Sequence, residues 1–436
     1  MLPKDVLDRL HALSGDDRDV IEQAFEQPSP TAVRYNPLKG VGVNGFPVPW
    51  CGSAVYLAQR PSFVADPLFH LGAYYVQETA SMFLEQFVRQ TGMDKKPVLA
   101  LDLCAAPGGK STHLRSLLHP DSLLICNEVM PDRRNVLQEN IWKWGYRNVC
   151  VSQAQAASFV RTGEEFDLIM LDAPCSGAGM MRKDPYAIEQ WSSDLVLQCA
   201  QTQRELLHAS WQLLRPGGLL IYSTCTFVAE ENENQVRYML NSLDAELVHL
   251  NIEEEWNLVQ VQEGLYFMPN RTWSEGLFMT AMRKPGVLDL DHSGPKTQDP
   301  SDQRVTFCEP AGHYFQERNE LITAVDGRWK ECVQRFGDEL SYFIPGIPVS
   351  MKKGKEWVPH PALALNELLV DEVTRVEVDT AESIALLRGE VLRRDVQKGL
   401  AVATYQGLPF VWLKGAGNRW NQSWPSAWRI RSHDLG

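Results

Sequence analysis

No stretch of the sequence approaches the ~18 consecutive apolar residues of a membrane-spanning helix, and the N-terminus, Met1-Leu2-Pro3-Lys4-Asp5, lacks the basic-then-apolar order of a secretory leader. A soluble, intracellular chain is expected. Paired cysteines are also missing: nine is an odd number, and they are scattered without metal-ligand spacing, which excludes a disulfide framework and argues against a metal. Reduced thiols suit the cytoplasm. There is no excess of positive charge, since 42 Lys and Arg stand against 55 Asp and Glu for a net −13, so nucleic acid cannot be held by an overall basic field. Any such binding needs a local patch. Repeats with a period of roughly 20–50 residues are absent too, which excludes solenoids.

What is present is ordinary globular composition, 44% hydrophobic and 22% charged over 436 residues, enough for two or three domains. Pro285–Arg304 accumulates Gly, Pro, Asp and Ser without apolar periodicity and reads as a linker. Upstream, the apolar runs Val98–Leu103, Leu123–Asn127, Val149–Ser152, Phe166–Leu171 and Leu219–Ser223 alternate with helical patterns. One such helix runs from Pro131 to Gly145, and another pattern runs from Ile188 to the stop at Pro216-Gly217-Gly218. Strands separated by helices predict an α/β fold with a doubly wound parallel sheet. Gly264–Met268 and Gly276–Met282 are spaced to add an antiparallel hairpin at its edge.

In such sheets ligands gather at the carboxyl ends of the strands, and the informative polar residues fall there. The first strand carries Asp102 and runs into Cys104-Ala105-Ala106-Pro107-Gly108-Gly109-Lys110, a turn of small residues able to approach a ligand closely. It lacks the full dinucleotide pattern G-x-G-x-x-G, and it is no phosphate loop, since GxxxxGK[ST] would need Gly where Cys104 stands. Glu128 ends the second strand, placed to accept hydrogen bonds from ribose hydroxyls. The fourth strand runs into Asp172-Ala173-Pro174-Cys175 and the last into Ser223-Thr224-Cys225. Two thiols thus fall at strand ends beside an acid, a set suited to nucleophilic catalysis with proton management.

These residues carry a resemblance. DLCAAPGGKS, the NE pair, LDAPCSGAGMMRKDP and QRELLHASWQLLRPGGLLIYSTCTFVAEENENQV, in this order, resemble the Nop/Sun family of RNA cytosine C5-methyltransferases over roughly residues 32–284. AVRYNPLK and YYVQETASM resemble segments that precede the methyltransferase sheet in that family. LPFVWLKGAGNRWNQSWPSAWRIR resembles the PUA-like RNA-binding domain of its bacterial branch, which modifies small-subunit ribosomal RNA.

The resemblance implies a class I, Rossmann-like methyltransferase using S-adenosylmethionine, with an N-terminal RNA-binding extension over residues 1–70 and a catalytic domain over 71–284. It further implies a linker over 285–305 and a C-terminal region over 306–436 holding the PUA-like unit from about residue 383. RNA is the implied partner, and a monomer without metal is expected. The cofactor loop falls on Cys104, Ala105, Ala106, Pro107, Gly108, Gly109 and Lys110, and the ribose acid on Glu128. The active-site acid falls on Asp172, also counted with the cofactor residues, the nucleophile on Cys225, and the second cysteine on Cys175. Lys110 is implied to help hold Cys225 as thiolate. Where the family has an Asp for the adenine amine, this chain offers Gln155, a neutral acceptor.

RNA affinity is expected from Arg182-Lys183 and from the tail. Residues 388–436 hold 8 Lys and Arg against 3 Asp and Glu, a local +5, with Lys414, Arg419, Arg429 and Arg431 set among Trp412, Trp420, Trp424 and Trp428. Two of those tryptophans are expected in a small β core. His292 and His313 read as ordinary surface or loop histidines. A transfer RNA or DNA cytosine methyltransferase, whose DNA-type nucleophile would be Cys175 after Pro174, and a non-catalytic ribosome assembly factor remain alternatives.

Overall fold

The computed structural model describes residues 2–290, 292, 304–394, 396 and 398–431. Two amphipathic helices, Lys4–Ser14 and Arg18–Glu26, come first and bury Val6, Leu10, Ile21 and Phe25 against the core. A small antiparallel sheet follows, built from β1 (Ala32–Tyr35), β2 (Phe46–Val48), β3 (Cys51–Tyr56) and β4 (Tyr74–Val76) in the order β2-β3-β1-β4.

The central sheet takes β5 (Leu99–Asp102), β6 (Leu123–Asn127), β7 (Val149–Gln153), β8 (Phe166–Asp172) and β9 (Leu214–Thr224) as parallel neighbours. All are buried on both faces, which is why their sequences read as continuous apolar runs rather than alternating ones. β10 (Glu246–Leu247), β11 (Val259–Val261), β12 (Gly264–Phe267) and β13 (Leu277–Arg283) extend it antiparallel beyond β9. The strand order β11-β12-β13-β9-β8-β5-β6-β7 is that of the expected doubly wound sheet with an antiparallel edge. Between β5 and β8 the winding reverses, and the crevice there is where such sheets bind ligands. The expected hairpin is therefore present. The expected helix from Ile188 is two, Pro185–Gln190 and Ser193–Leu213, the second capped by Ser192 accepting from the Leu195 amide at 3.1 Å.

Beyond the linker lie β14 (His313–Arg318), β15 (Leu321–Asp326), β16 (Tyr342–Ile344), β17 (Ile347–Lys353) and β18 (Glu356–Pro359), then β19 (Arg375–Glu377), β20 (Gly399–Tyr405), β21 (Leu408–Gly415) and β22 (Trp420–Gln422). β16 leaves its own neighbours and pairs antiparallel with β7, closing that edge of the catalytic sheet. Phe336, on helix Lys330–Glu339, packs between Phe159 and Phe166 at ring-centroid distances of 6.1 and 5.9 Å. The C-terminal third is therefore built into the central sheet.

Several expectations change here. Most of the linker, 291 and 293–303, lies outside the described residues, but His292 is anchored: its Nε2 meets Asp167 Oδ2 at 2.6 Å, and Arg215 takes the other oxygen of that buried carboxylate at 2.9 Å. His313 is buried as well, not a surface residue. All four tail tryptophans are buried rather than two, and Trp424 and Trp428 pack edge to face at 5.3 Å, so none is free to stack on a base. Lys414, Arg419, Arg429 and Arg431 remain exposed. Among the described residues no helix is long and apolar enough to cross a membrane.

Candidate active site at the strand ends

Register brings the polar residues together. Parallel pairing sets Asp172 of β8 opposite Ser223 of β9, and the Ser223 hydroxyl donates to Asp172 Oδ1 at 2.6 Å. The other oxygen, Oδ2, meets Lys110 Nζ at 2.9 Å, reached from the first turn of helix Gly109–Leu117. Burial works against the Lys110 ammonium, but Asp172 in contact, with Cys225 and Glu78 nearby, outweighs it and raises its pKa. Lys110 is thus held cationic beside Cys225.

The two thiols converge from the turns after β8 and β9, with Cys175 Sγ 2.9 Å from Cys225 Sγ. The Cys225 amide also donates to Cys175 Sγ at 3.2 Å. Contact with Cys225 and burial push the Cys175 thiol well above its ordinary pKa.

A buried network fixes these turns, and sequence reading missed it. Glu231 accepts from the Ser176 amide at 2.9 Å, from Gln203 Nε2 at 2.8 Å and from the Ser176 hydroxyl. Burial raises the Glu231 pKa. Asn232 accepts from Thr224 at 2.5 Å and donates to the Thr226 carbonyl at 3.0 Å, bracing the strand end that carries Cys225. The only signal was that the EENENQ run is acidic yet directly follows the Thr-Cys turn.

The loop after β5 is pinned by the Ala105 amide donating to Asn127 O at 2.8 Å and by Arg133 donating to Ala106 O at 2.9 Å. Its glycines serve packing as well as ligand approach. Gly108 sits at φ 111°, and a Cβ on Gly109 would come within 3.3 Å of the Tyr75 ring. Asp102 accepts from Ser111 at 2.6 Å through Oδ2, while Oδ1 is buried without a partner, and burial lifts its pKa to about 7. Glu128 is buried at the end of β6, accepting from the Met130 amide at 2.9 Å through Oε1, with Arg133 3.5 Å from Oε2. Gln155 follows β7 as the residue before helix Ala156–Val160, its side chain exposed.

One further cluster went unseen in the sequence. Cys51, Glu85 and His113 meet in the core, with His113 Nε2 3.3 Å from Glu85 and 3.7 Å from Cys51 Sγ. Glu85 is already paired with Arg89 at 2.8 Å, and burial holds the His113 pKa down to about 4.

Comparison with known proteins gives the family. Residues 94–283 match the family profile described as 16S rRNA methyltransferase RsmB/F, and residues 2–79 match that of the N-terminal domain of 16S rRNA methyltransferase RsmF. Curated proteins called ribosomal RNA small subunit methyltransferase F from Cronobacter sakazakii and Escherichia coli O9:H4 are each 34% identical, covering 92% of this chain and 90% and 91% of their own lengths. This chain belongs to the 16S rRNA methyltransferase RsmB/F family. A solved methyltransferase homolog from Pyrococcus horikoshii superposes with a TM-score of 0.53 at 28% identity, covering 65% of this chain and 100% of that one. The structure of NSun6 from the same organism, solved with SFG, shares the fold with a TM-score of 0.54 at 22% identity, covering 65% of this chain and 98% of that one.

As a member of that family this methyltransferase uses S-adenosylmethionine, and the residues fit such a group. Acids end both β5 and β6, an unpartnered Asp102 oxygen awaits a donor, and the Lys110–Asp172 pair stands at the next strand end. A cationic, ribose-bearing cofactor matches that set.

Proposed function

We propose that this methyltransferase modifies carbon 5 of a cytosine in 16S ribosomal RNA, through a transient bond between Cys225 and carbon 6 of the base. The observation that carries the reading is the pair of thiols 2.9 Å apart, with Lys110 and Asp172 beside them. Carbon 5 of cytosine is a poor nucleophile, so methylation there needs covalent activation.

Cys225 is the attacking thiolate: Cys175 is placed to donate to its sulfur, and the Lys110 ammonium offsets its charge. Addition of sulfur at carbon 6 moves an electron pair to the ring, N3 takes a proton, and carbon 5 becomes enamine-like. The Asp172–Lys110 pair is the group assigned to N3. Bound S-adenosylmethionine supplies the electrophilic methyl group. Elimination then reverses the addition. Cys175, its own thiol proton released to solvent once Cys225 is bound in the adduct, takes the carbon 5 proton. That electron pair re-forms the carbon 5–carbon 6 double bond, the Cys225 thiolate departs, and N3 returns its proton to the Asp172–Lys110 pair. Cys104 to Lys110, Glu128, Gln155 and Asp172 would line the cofactor side, where Glu128 would hold the ribose and Gln155 would accept from the adenine amine.

A stacked base hides carbon 6, so the substrate is single-stranded or locally opened. The exposed Lys414, Arg419, Arg429 and Arg431, in a PUA-like tail, and the N-terminal extension supply phosphate contacts, and the protein acts in the cytoplasm. The test is transfer of labelled methyl to 16S rRNA followed by mapping of the modified base. Methyl on carbon 5 of a cytosine is expected; methyl on any other atom sinks the reading.

A further inference from the structure

A cleft of about 410 Å³ opens where the N-terminal sheet meets the loop before β13. Its walls carry two large aromatic side chains that the fold leaves in solvent, Phe46 at 61% and Trp273 at 65% exposure. Phe46 is paired across β2 and β3 with Tyr56, and Trp273 stands edge-on to Tyr56 with ring centroids 5.3 Å apart. Single exposed aromatics are unremarkable on a surface, but two lining one cleft together with a cation are not. The cation is Arg182. Its guanidinium donates to the carbonyls of Gln27, Pro28 and Ser274 at 2.9–3.0 Å and makes no ion pair among the described residues. Five N–H groups less three used leaves two donors, and Glu275, the acid that acts on Arg182 electrostatically, is itself paired with Lys183.

This cleft is tied to the thiol turns. The Gly179 amide, four residues after Cys175, donates to the Cys225 carbonyl at 2.8 Å, and a Cβ on Gly179 would meet the Gly276 carbonyl at 2.5 Å. Glu275 bonds through its amide to Glu78 at 3.1 Å and through its carboxylate to Lys183 at 3.3 Å. The Thr79 hydroxyl donates to the Trp273 carbonyl at 2.7 Å. Loop 272–276, which presents Trp273, and the turn that follows Cys175 therefore form one hydrogen-bonded unit.

We infer that this cleft binds one unpaired nucleotide of the RNA substrate beside the target cytosine, its base stacked on Trp273 and Phe46 and its phosphodiester on Arg182. Aromatic faces beside a guanidinium that keeps two N–H donors are what single-stranded nucleic acid requires, and the tail tryptophans are too buried to serve. The cleft would hold the strand open while the neighbouring base occupies the thiol site. The inference rests on the RNA-methylation reading and adds the substrate contact that reading leaves open.

The probe is a fluorescein-labelled oligouridylate holding a single cytosine, with a second version made abasic at each neighbour of that cytosine in turn. Trp273→Ala should weaken binding by about tenfold, the loss of one base–aromatic stack, while Trp273→Phe keeps most of it. One abasic position should cost wild-type protein a similar factor and cost Trp273→Ala nothing further. Phe46→Ala, at an exposed edge position, should show the same pattern if Trp273→Ala folds poorly, as judged by its affinity for S-adenosylmethionine. Equal affinity of wild type, Trp273→Ala and Phe46→Ala, or equal abasic losses in all three, overturns the cleft. Failure of wild type to methylate 16S rRNA would instead overturn the function, so the two failures are separable.

Discussion

Cys175 Sγ lies 2.9 Å from Cys225 Sγ, and the backbone amide of Cys225 points at the Cys175 sulfur. A pair this close shares its protons, and the proposed mechanism assigns attack to Cys225 and release to Cys175. Cys225→Ala should abolish methylation and all covalent RNA adducts. Cys175→Ala should transfer methyl but stall at elimination, so a denaturation-resistant protein–RNA adduct accumulates on a gel with labelled RNA. An adduct from Cys225→Ala and none from Cys175→Ala would reverse the assignment.

Glu128 is buried at the end of β6 with Oε1 on the Met130 amide, and Oε2, 3.5 Å from Arg133, keeps a lone pair able to accept from a ribose hydroxyl. A hydrogen bond to a charged group contributes about 1.5–3 kcal/mol, so Glu128→Ala should weaken S-adenosylmethionine about tenfold or more by calorimetry. Gln155→Asp restores an anion at the exposed third strand end and should tighten the cofactor or leave it unchanged. A marked loss from Gln155→Asp would move the adenine elsewhere.

His360 gives a pH signature of stability. Its Nδ1 accepts from the Ala362 amide at 3.1 Å, capping the turn Pro361–Leu365, and Trp142 covers the ring edge-on at 5.0 Å. Burial depresses its pKa to about 3, against 6.5 for an ordinary histidine. Below pH 6.5 the unfolded chain takes a proton that the folded one refuses, so this group's contribution is full above 6.5 and fades down to about 3. His360→Asn keeps a capping acceptor that does not titrate. Wild type should lose stability relative to that variant between pH 6.5 and 4, by at most about 1.4 kcal/mol per pH unit. Parallel urea midpoints across that range would show that His360 does not titrate with folding.

Local chemistry was legible and long-range chemistry was not. Leu123–Asn127 is a strand over the residues expected, and Val98–Leu103 and Phe166–Leu171 differ from β5 and β8 by a residue or two at their ends, because fully buried parallel strands have no polar face to blur the run. The strand-end positions of Lys110, Asp172, Cys175 and Cys225 follow from the same pattern, and the register then brings them into contact. What could not be read was anything decided by distant pairing. Cys51, Glu85 and His113 are separated by tens of residues and meet only through packing of β3 with helices Leu84–Gln90 and Gly109–Leu117. The Glu231 network looks like a solvated acidic run until Ser176 and Gln203 are folded onto it. Likewise, the apparent independence of the residues after the linker reflected composition alone, whereas β16 and Phe336 commit them to the catalytic sheet.

That commitment changes what a truncation can mean. Removing everything after Lys284 would take away more than a basic tail. It would expose the edge of β7 and strip Phe336 from Phe159 and Phe166. The truncated chain should therefore lose stability and, with it, cofactor binding, even though no cofactor-lining residue is deleted. Phe336→Ala isolates the effect in the intact protein. The side chain is fully buried, so its loss should cost about 3–5 kcal/mol and lower Tm by several degrees, with RNA affinity of the folded protein unchanged. The RNA contribution of the tail is better measured by neutralising the exposed Lys414, Arg419, Arg429 and Arg431 to Gln. Tm should then hold while the salt dependence of RNA binding flattens, because fewer phosphates are neutralised. An unchanged salt slope would reduce the tail to a packing element of the catalytic domain.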